Sequence, residues 1–227
     1  MTTTGAGRPR LTTRKRPGAT AREEILDAAA ELFTTRGVTS TSTRMIADAV
    51  GVRQASLYHH FATKDDMLAA LLVGTVDATL ACAQALRDAA ADAPSTLYAL
   101  VWFDADQLMT SRWNLGALYL VPELRSARFE QFRTRRSDLM ALYASLSRDA
   151  LVDIGTLVVS EELTHLPFRI VESVISARSD AESTRHSLAT PDTIADAAVR
   201  VLGWTGSTAS LRDTATTLLA AARPVSR

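Results

Sequence analysis

Apolar residues recur at helical spacing from residue 20 onward. Five of them, three or four positions apart, form one stripe: Ile25, Ala28, Ala29, Leu32 and Phe33. The motif Thr20-Ala-Arg-Glu23 just before this stripe is a capping box, in which the Thr hydroxyl and the Glu carboxylate each satisfy a backbone amide. The pattern therefore predicts a helix that starts after Thr20 and is ended by Gly37 in a left-handed conformation.

Two short helices and a long one are predicted next. Candidate N-caps of the first are Thr41, Ser42 and Thr43, and Gly51 marks its end. The second covers residues 54–61. Thr63, with Asp66 three residues later, begins a long helix that continues to Leu86.

Helical patterns separated by proline, glycine and polar stretches fill the rest of the chain. They span residues 95–110, 112–121, 123–152, 163–180, 191–204 and 208–222. Thr190-Pro191-Asp192 is a strong helix start, with a capping hydroxyl, a proline in the first turn and an acid beside it. Residues 157–159 are apolar and are expected to form an irregular loop. The sequence therefore predicts an all-α fold.

The spacing within residues 43–61 fits a helix-turn-helix. Ala47 is small enough for the next helix to cross over it, and Gly51 can adopt the conformation that a three-residue turn needs. The apolar residues that would fill the space between the helices are Ile46, Val50, Val52 and Leu57. The polar residues expected to face outward are Arg53, Gln54, Ser56, Tyr58 and His59. This donor-rich surface suits the major groove of DNA.

Charge is distributed unevenly along a chain whose formal net charge is zero. Residues 1–64 contain 10 Lys and Arg against 5 Asp and Glu, whereas residues 65–227 contain 15 against 20. A basic segment of this kind is the electrostatic footprint of a nucleic-acid-binding protein, although solvated basic tails also produce it.

The composition excludes several other classes of protein. With 227 residues and 47% hydrophobic content the chain is expected to be globular, and its longest uncharged apolar stretch, 68–76, is too short for a membrane span. We expect no membrane segment or secretory signal, and hence a cytoplasmic protein. The single cysteine, Cys82, excludes a disulfide framework. Without a nucleophile–base arrangement, a metal-ligand spacing or a phosphate loop, no catalytic residue, metal or cofactor is expected, and the chain is not expected to be an enzyme.

One set of motifs within about residues 20–72, under a quarter of the chain, has a specific order and spacing. It consists of Ile25-Leu-Asp-Ala-Ala-Ala-Glu-Leu-Phe33, Gly37, Thr43-Arg-Met-Ile-Ala47, Gly51-Val52, Leu57-Tyr58-His59-His60-Phe61 and Lys64. In these residues the chain resembles the TetR family of bacterial transcriptional regulators. The resemblance implies an N-terminal three-helix helix-turn-helix domain joined by a long helix to a larger helical ligand-binding and dimerisation domain. The implied divisions are a DNA-binding domain at 20–65 and an effector-binding and dimerisation domain at 66–227. Residues 1–19, which have no apolar periodicity, are expected to form a flexible basic arm.

The resemblance also implies a homodimer that binds double-stranded DNA at a partly palindromic operator. Thr43, Tyr58 and Lys64 match family positions that contact phosphate. The candidates for base edges are Arg53, Gln54, Ser56 and His59, since Arg prefers guanine and Gln prefers adenine. Ala55 is expected to contact a thymine methyl group, and Arg44 completes the predicted DNA-binding set.

The basic arm supports a separate hypothesis. Gly7-Arg8-Pro9-Arg10 resembles the core of an AT-hook, in which Arg8 and Arg10 would enter a narrow minor groove. Nonspecific attraction to phosphate is the alternative. A rival function follows from the arm, namely an architectural protein that coats or bends AT-rich DNA with little sequence preference.

Aromatic residues concentrate in the predicted helices between residues 95 and 152. In a plain bundle they form the core, whereas the resemblance implies that some line an effector pocket. The predicted pocket residues are Trp102, Phe103, Asp106, Met109, Trp113, Tyr119, Phe129, Phe132 and Tyr143, with Gln107 and Asn114 as further polar anchors. Asp104 and Asp106 fit a solvated face better than a pocket. The arginines at 125, 128, 133, 135 and 136 leave an anionic effector open, although such charges usually face water.

Two apolar stripes near the C-terminus need a partner surface. The predicted dimer-interface residues are Ile170, Val171, Val174, Ile175, Ile194, Ala197, Ala198 and Val201. Packing within one chain is the alternative. The resulting hypothesis is a repressor released from its operator by a small-molecule effector. A regulator of the same fold that activates, or that lacks a small-molecule effector and answers to a protein partner, remains the alternative.

Overall fold

A computed structural model describes residues 16–89, 91–156, 160–184 and 189–222. Within these ranges the chain forms nine α-helices and no strand, which confirms the all-α fold class. The helices are α1 (Ala21–Arg36), α2 (Thr43–Val50), α3 (Gln54–Tyr58), α4 (Lys64–Asp88), α5 (Ala93–Thr110), α6 (Glu130–Ile154), α7 (Glu161–Thr184), α8 (Pro191–Val201) and α9 (Thr208–Ala222). The expected loop at 157–159 lies outside the described residues.

The chain divides into two compact units, Met1–Leu68 and Ala69–Arg227. The division falls inside α4, which begins in the first unit and continues into the second. The sequence places the corresponding domain boundary after residue 65, one helical turn earlier.

The first unit is built on the predicted capping box. The Thr20 hydroxyl accepts from the Glu23 amide at 3.2 Å, and the Glu23 carboxylate accepts from the Thr20 amide at 3.2 Å, so α1 starts as predicted. Ile25 and Phe33 on the predicted stripe are buried. Gly37 does end α1 with a positive φ of 84°, but its ψ of 153° is extended, so the predicted left-handed conformation is wrong there.

The turn between α2 and α3 has the expected geometry. Ser42 is the N-cap of α2, and Gly51 ends it in the left-handed conformation with φ 78° and ψ 33°. The Gly51 amide donates to the Ala47 carbonyl at 2.9 Å. α3 is shorter than predicted because it ends at Tyr58, but the Phe61 amide still donates to the Leu57 carbonyl and both side chains are buried.

α5 is the central helix of the second unit. It packs against α6, α7, α8 and α9. Residues 97–101 are buried on every side, which follows from an unbroken apolar run that offers no polar face to water. The other helices of this unit therefore surround an almost entirely apolar segment.

The sequence prediction is wrong between α5 and α6. Instead of helices over 112–121 and from 123, three short 3-10 segments occupy this region: Leu115–Leu120, Pro122–Arg125 and Ala127–Phe129. Pro122 lacks an amide hydrogen to continue a helix. Gly116 lies so close to α7 that a Cβ atom there would be 2.6 Å from Ile175. The proline and the close packing of Gly116 thus account for 3-10 segments where the sequence predicts α-helices.

α4 is long and apolar enough to cross a membrane if only length and composition are considered, whereas the sequence predicts no such segment. Part of the helix is nevertheless packed inside the second unit. The buried residues there lie at helical spacing: Leu72, Val76, Thr79, Ala83 and Leu86. A stripe of this kind is typical of a core helix in a soluble protein.

Candidate nucleic-acid interface and body cavities

α3 presents a polar surface on one side and a buried anchor on the other. The residues exposed on and beside this helix are Arg53, Gln54, Ala55, Ser56, Tyr58 and His59. Leu57 is completely buried against the first unit, together with Ile46 and Val50 of α2, while Val52 in the turn is half-buried. The predicted orientation of α3 is confirmed, and contact of its exposed residues with DNA stays a prediction.

Three of the predicted DNA-binding side chains form one hydrogen-bonded cluster. The Gln54 amide donates to the Thr43 hydroxyl at 2.9 Å and to the Tyr58 hydroxyl at 3.2 Å. The Thr43 and Tyr58 hydroxyls lie 3.2 Å apart. Gln54 therefore orients the two predicted phosphate ligands, in addition to its predicted role at a base edge. We call these residues the Thr43–Gln54–Tyr58 cluster.

The predicted cationic contacts differ in their surroundings. The Lys64 ammonium group donates to the Val38 carbonyl at 2.7 Å and is half-buried, so it fixes the start of α4 as well as carrying charge. The Arg44 side chain is 83% exposed, and its Nε lies 4.0 Å from the Asp48 carboxylate, a long ion pair. Arg53 is exposed as the N-cap residue of α3. Arg44 and Arg53 are therefore the more available cations of this surface.

Arg16 has a structural role that the sequence analysis missed. Its guanidinium group donates to Asp27 at 2.9 Å and to the Ala49 carbonyl at 3.2 Å, and it lies 2.6 Å from Glu31. Burial lowers the pKa of Arg16, but Glu31 and Asp27 outweigh this effect and the pKa is raised. Arg16 thus links α1 to the end of α2. The acids four residues apart in α1 were the available signal. Arg8 and Arg10 lie outside the described residues.

A family match covers most of the first unit, and the similarity to a solved structure extends over both units. Residues 25–71 match the family described as bacterial regulatory proteins, tetR family. The crystal structure of Mycobacterium smegmatis AmtR shares 54% sequence identity and a TM-score of 0.83, over 92% of this chain and 98% of that one. The chain belongs to the TetR family.

Other members of the TetR family match more distantly. The transcriptional repressor KstR2 of Rhodococcus jostii is 42% identical over 80 residues, which are 35% of this chain and 39% of that repressor. The chain therefore matches well under half the length of this relative. The structure of the ketosteroid transcriptional regulator KstR2 of Mycobacterium tuberculosis is 22% identical, with a TM-score of 0.65 over 82% of this chain and 95% of that one, and it shows a shared fold.

The nine predicted pocket residues of this TetR-family chain do not line a single cavity. Trp102, Phe103 and Asp106 line a cavity of about 470 Å³ beside α4 and α9. Tyr119 and Phe132 line a different cavity of about 450 Å³ beside α6. The sequence placed these residues in neighbouring helical patterns but could not show that they line different cavities.

Two of the remaining predicted pocket residues belong to the core instead. Phe129 and Tyr143 are fully buried core residues, and Met109 and Trp113 line neither of these two cavities. The two predicted polar anchors, Gln107 and Asn114, donate hydrogen bonds to backbone carbonyl groups. The Gln107 amide donates to the Thr75 carbonyl at 2.8 Å, and the Asn114 amide donates to the Ile175 carbonyl at 2.9 Å.

Asp104 is a buried carboxylate rather than part of a solvated face. It accepts hydrogen bonds from the Thr79 hydroxyl and the Tyr143 hydroxyl, both at 2.9 Å. Burial raises its pKa from 3.8 to about 6, although these hydrogen bonds act in the opposite direction. The signal was Leu100 and Val101, which lie one turn before Asp104 on the same face of α5.

Half of the eight residues predicted for a dimer interface are buried within the single chain. Val171 and Val174 are each 1% exposed, Ala198 is fully buried and Ile194 is 9% exposed within the single chain. These four side chains pack inside the second unit and leave little surface for a partner. The predicted residues with accessible surface are Ile170, Ile175, Ala197 and Val201.

Proposed function

We propose that this TetR-family chain is a homodimeric, sequence-specific DNA-binding repressor of transcription in the bacterial cytoplasm. The observation that carries the proposal is α3, a short helix with Leu57 fully buried and every other residue exposed. Such a helix presents side chains to a partner without unfolding. The KstR2 relative from Rhodococcus jostii is itself a transcriptional repressor of the helix-turn-helix type.

The exposed residues divide by chemistry into two roles. Arg53 supplies a planar, bidentate donor for guanine, while Ser56 and His59 supply single hydrogen-bonding groups for neighbouring base edges. The Thr43–Gln54–Tyr58 cluster offers hydroxyl groups to phosphate oxygens, which positions α3 without specifying sequence. Arg44 adds charge beside the cluster.

A homodimer accounts for specificity because one helix of five residues reads only a few base pairs. Two copies of α3 would occupy half-sites separated by about one helical turn of DNA, roughly 34 Å. Ile170, Ala197 and Val201 on α7 and α8 retain accessible apolar surface for this contact.

A small-molecule effector would act by shifting the population of conformations. An effector releases the operator only to the extent that it prefers the conformation that binds DNA poorly. α4 is shared by both units and provides a continuous helix through which the second unit can affect the first. A protein–operator complex whose half-life lengthens when effector is added would contradict release by the effector.

Selection from a random duplex library with the purified chain tests DNA reading. We expect a two-fold symmetric site with the native chain, and relaxed preference at one symmetric pair of positions with Arg53→Ala. Arg148→Ala, an exposed arginine of α6, is the matched control and should select the native site. Enrichment of AT-rich DNA without symmetry, unaffected by Arg53→Ala, would instead favour the architectural function of the basic arm.

A further inference from the structure

An arginine-lined cavity lies between the 3-10 segments and α6. Its volume is about 450 Å³, within the range of small-molecule sites. Three arginines, Arg125, Arg133 and Arg136, line it beside the apolar surfaces of Tyr119, Phe132 and Leu124. Among the described residues no Asp or Glu lines this cavity. Its electrostatic character is therefore positive, on largely apolar walls.

The three arginines differ in how many donors they have left. Arg133 donates through Nη1 to the carbonyls of Leu124 and Ser126, at 2.6 and 2.7 Å, so it fixes the cavity wall. Arg125 is exposed and makes no ion pair within the described part of the chain. Arg136 donates through Nη2 to Glu172, but its Nε–H is buried and has no hydrogen-bond partner among the described residues. A buried donor without an acceptor is costly, so Arg136 retains unused hydrogen-bonding capacity beside Glu172.

Arg136 is held in place from several sides. Its guanidinium carbon lies 5.8 Å from the Tyr119 ring centroid and 5.4 Å from that of Phe168. Glu172 does not neutralise it completely, because the same carboxylate also accepts from Arg169 at 2.9 Å. The cavity therefore keeps a preorganised cation with excess positive charge around it.

The acidic groups lie behind Arg136. A second cavity of about 20 Å³ shares Tyr119 and Arg136 with the first, and Asp104 and Glu172 line it. That volume holds about one water molecule and excludes an organic ligand. Of the two cavities only the larger has room for an organic ligand, and it is lined by arginines rather than carboxylates.

We propose that the arginine-lined cavity binds an organic anion, a carboxylate or sulfonate on an apolar body. The charged group accepts hydrogen bonds from Arg125 and Arg136, and the body lies against Tyr119 and Phe132. The identification of this anion as the effector rests on the proposed function, whereas its binding does not. Because Arg136 also joins α6 to Glu172 of α7, the bound anion shares a residue with the contact between these two helices.

Two fluorescent probes with the same aromatic body test the charge preference. 1-Anilinonaphthalene-8-sulfonate carries the anion, and N-phenyl-1-naphthylamine lacks it. Titration of the purified full chain without DNA should show the sulfonate bound about tenfold or more tightly than the neutral amine, with one site per chain. Arg125→Met and Arg136→Met should each reduce that ratio severalfold. Arg135→Met is the matched control, since this neighbouring arginine pairs with Asp77 and does not line the cavity.

Arg125→Met keeps the test decisive if Arg136→Met unfolds the chain, because Arg125 is exposed. Equal affinity for the two probes, or an unchanged ratio in Arg125→Met, would overturn the proposal. Operator binding is measured separately on the same preparations. A chain that binds its operator but shows no anion preference refutes the ligand class alone, whereas a chain that prefers the anion but selects no operator refutes the proposed function alone.

Discussion

At the scale of single residues, hydrogen-bonding context decides what a side chain can do. Gln54, chosen from the sequence as a base reader, is held by Thr43 and Tyr58. Asp104, a polar residue in an apolar helix, is buried and bonded to two hydroxyl groups. Sequence identified both as noteworthy, but only the Gln54–Tyr58 contact is local in the chain, since Thr43 is 11 residues from Gln54 and Asp104 is 25 and 39 residues from its two partners.

Tyr58→Phe tests whether the Thr43–Gln54–Tyr58 cluster positions the protein on phosphate. Tyr58 is 47% exposed, and the substitution removes only its hydroxyl group, one neutral hydrogen-bond donor. Affinity for the selected duplex should fall by about fivefold to tenfold, roughly 1 kcal/mol, at every site sequence. The salt dependence should stay unchanged, because no charge is removed. A filter-binding or anisotropy titration in which Tyr58→Phe alters the preferred bases would contradict this role.

Asp104→Asn tests the buried carboxyl through the pH dependence of stability. The Asp104 pKa is about 6 in the folded chain, above its ordinary value of 3.8, so the folded state binds this proton more tightly. Its stabilising contribution is fully present below pH 3.8 and is lost as the pH rises through 6.

The free energy of unfolding, measured by urea titration, should therefore change relative to Asp104→Asn. Between about pH 4 and about pH 7 the free energy of unfolding of the native chain should fall by about 2–3 kcal/mol more than that of Asp104→Asn. Parallel curves for the two proteins would show that Asp104 has no raised pKa.

At the scale of elements, the sequence predicts what local chemistry determines. The starts of α1, α4 and α8 match their capping residues, since a hydroxyl and a nearby amide decide the first turn. The 3-10 segment at Leu115–Leu120 could not be predicted, because Gly116 there lies against Ile175, a residue far away in the chain. The turn of α2 into α3 was predictable, because Gly51 is required there by its backbone conformation.

Gly116→Ala and Gly74→Ala form a matched pair that tests this packing. A Cβ at Gly116 would lie 2.6 Å from Ile175, whereas a Cβ at Gly74 in α4 meets nothing within 4 Å. Gly116→Ala should lower the free energy of unfolding by roughly 1–3 kcal/mol through overpacking. Gly74→Ala should raise it by roughly 0.5–1 kcal/mol through helix propensity. Equal effects in a urea titration would mean that the Gly116 contact does not restrict the backbone.

At the scale of the whole molecule, family membership was predictable and the cavities were not. The spacing of residues 43–61 predicts the helix-turn-helix that the first unit contains. The second unit is defined by packing around α5, which separates the predicted pocket aromatics and buries half of the predicted interface. Exposure on one helix depends on which other helices cover it, and the chain's periodicity does not specify that.

The most direct test of a dimeric DNA reader is the stoichiometry and symmetry of its complex. Sedimentation velocity with the selected duplex should give two chains per site, and a duplex carrying one half-site should bind about a hundredfold or more weakly. Arg53→Ala should weaken binding to the full site, while Arg148→Ala should not. One chain per site, with full-site and half-site duplexes bound equally, would show that the chain does not read DNA as a dimer.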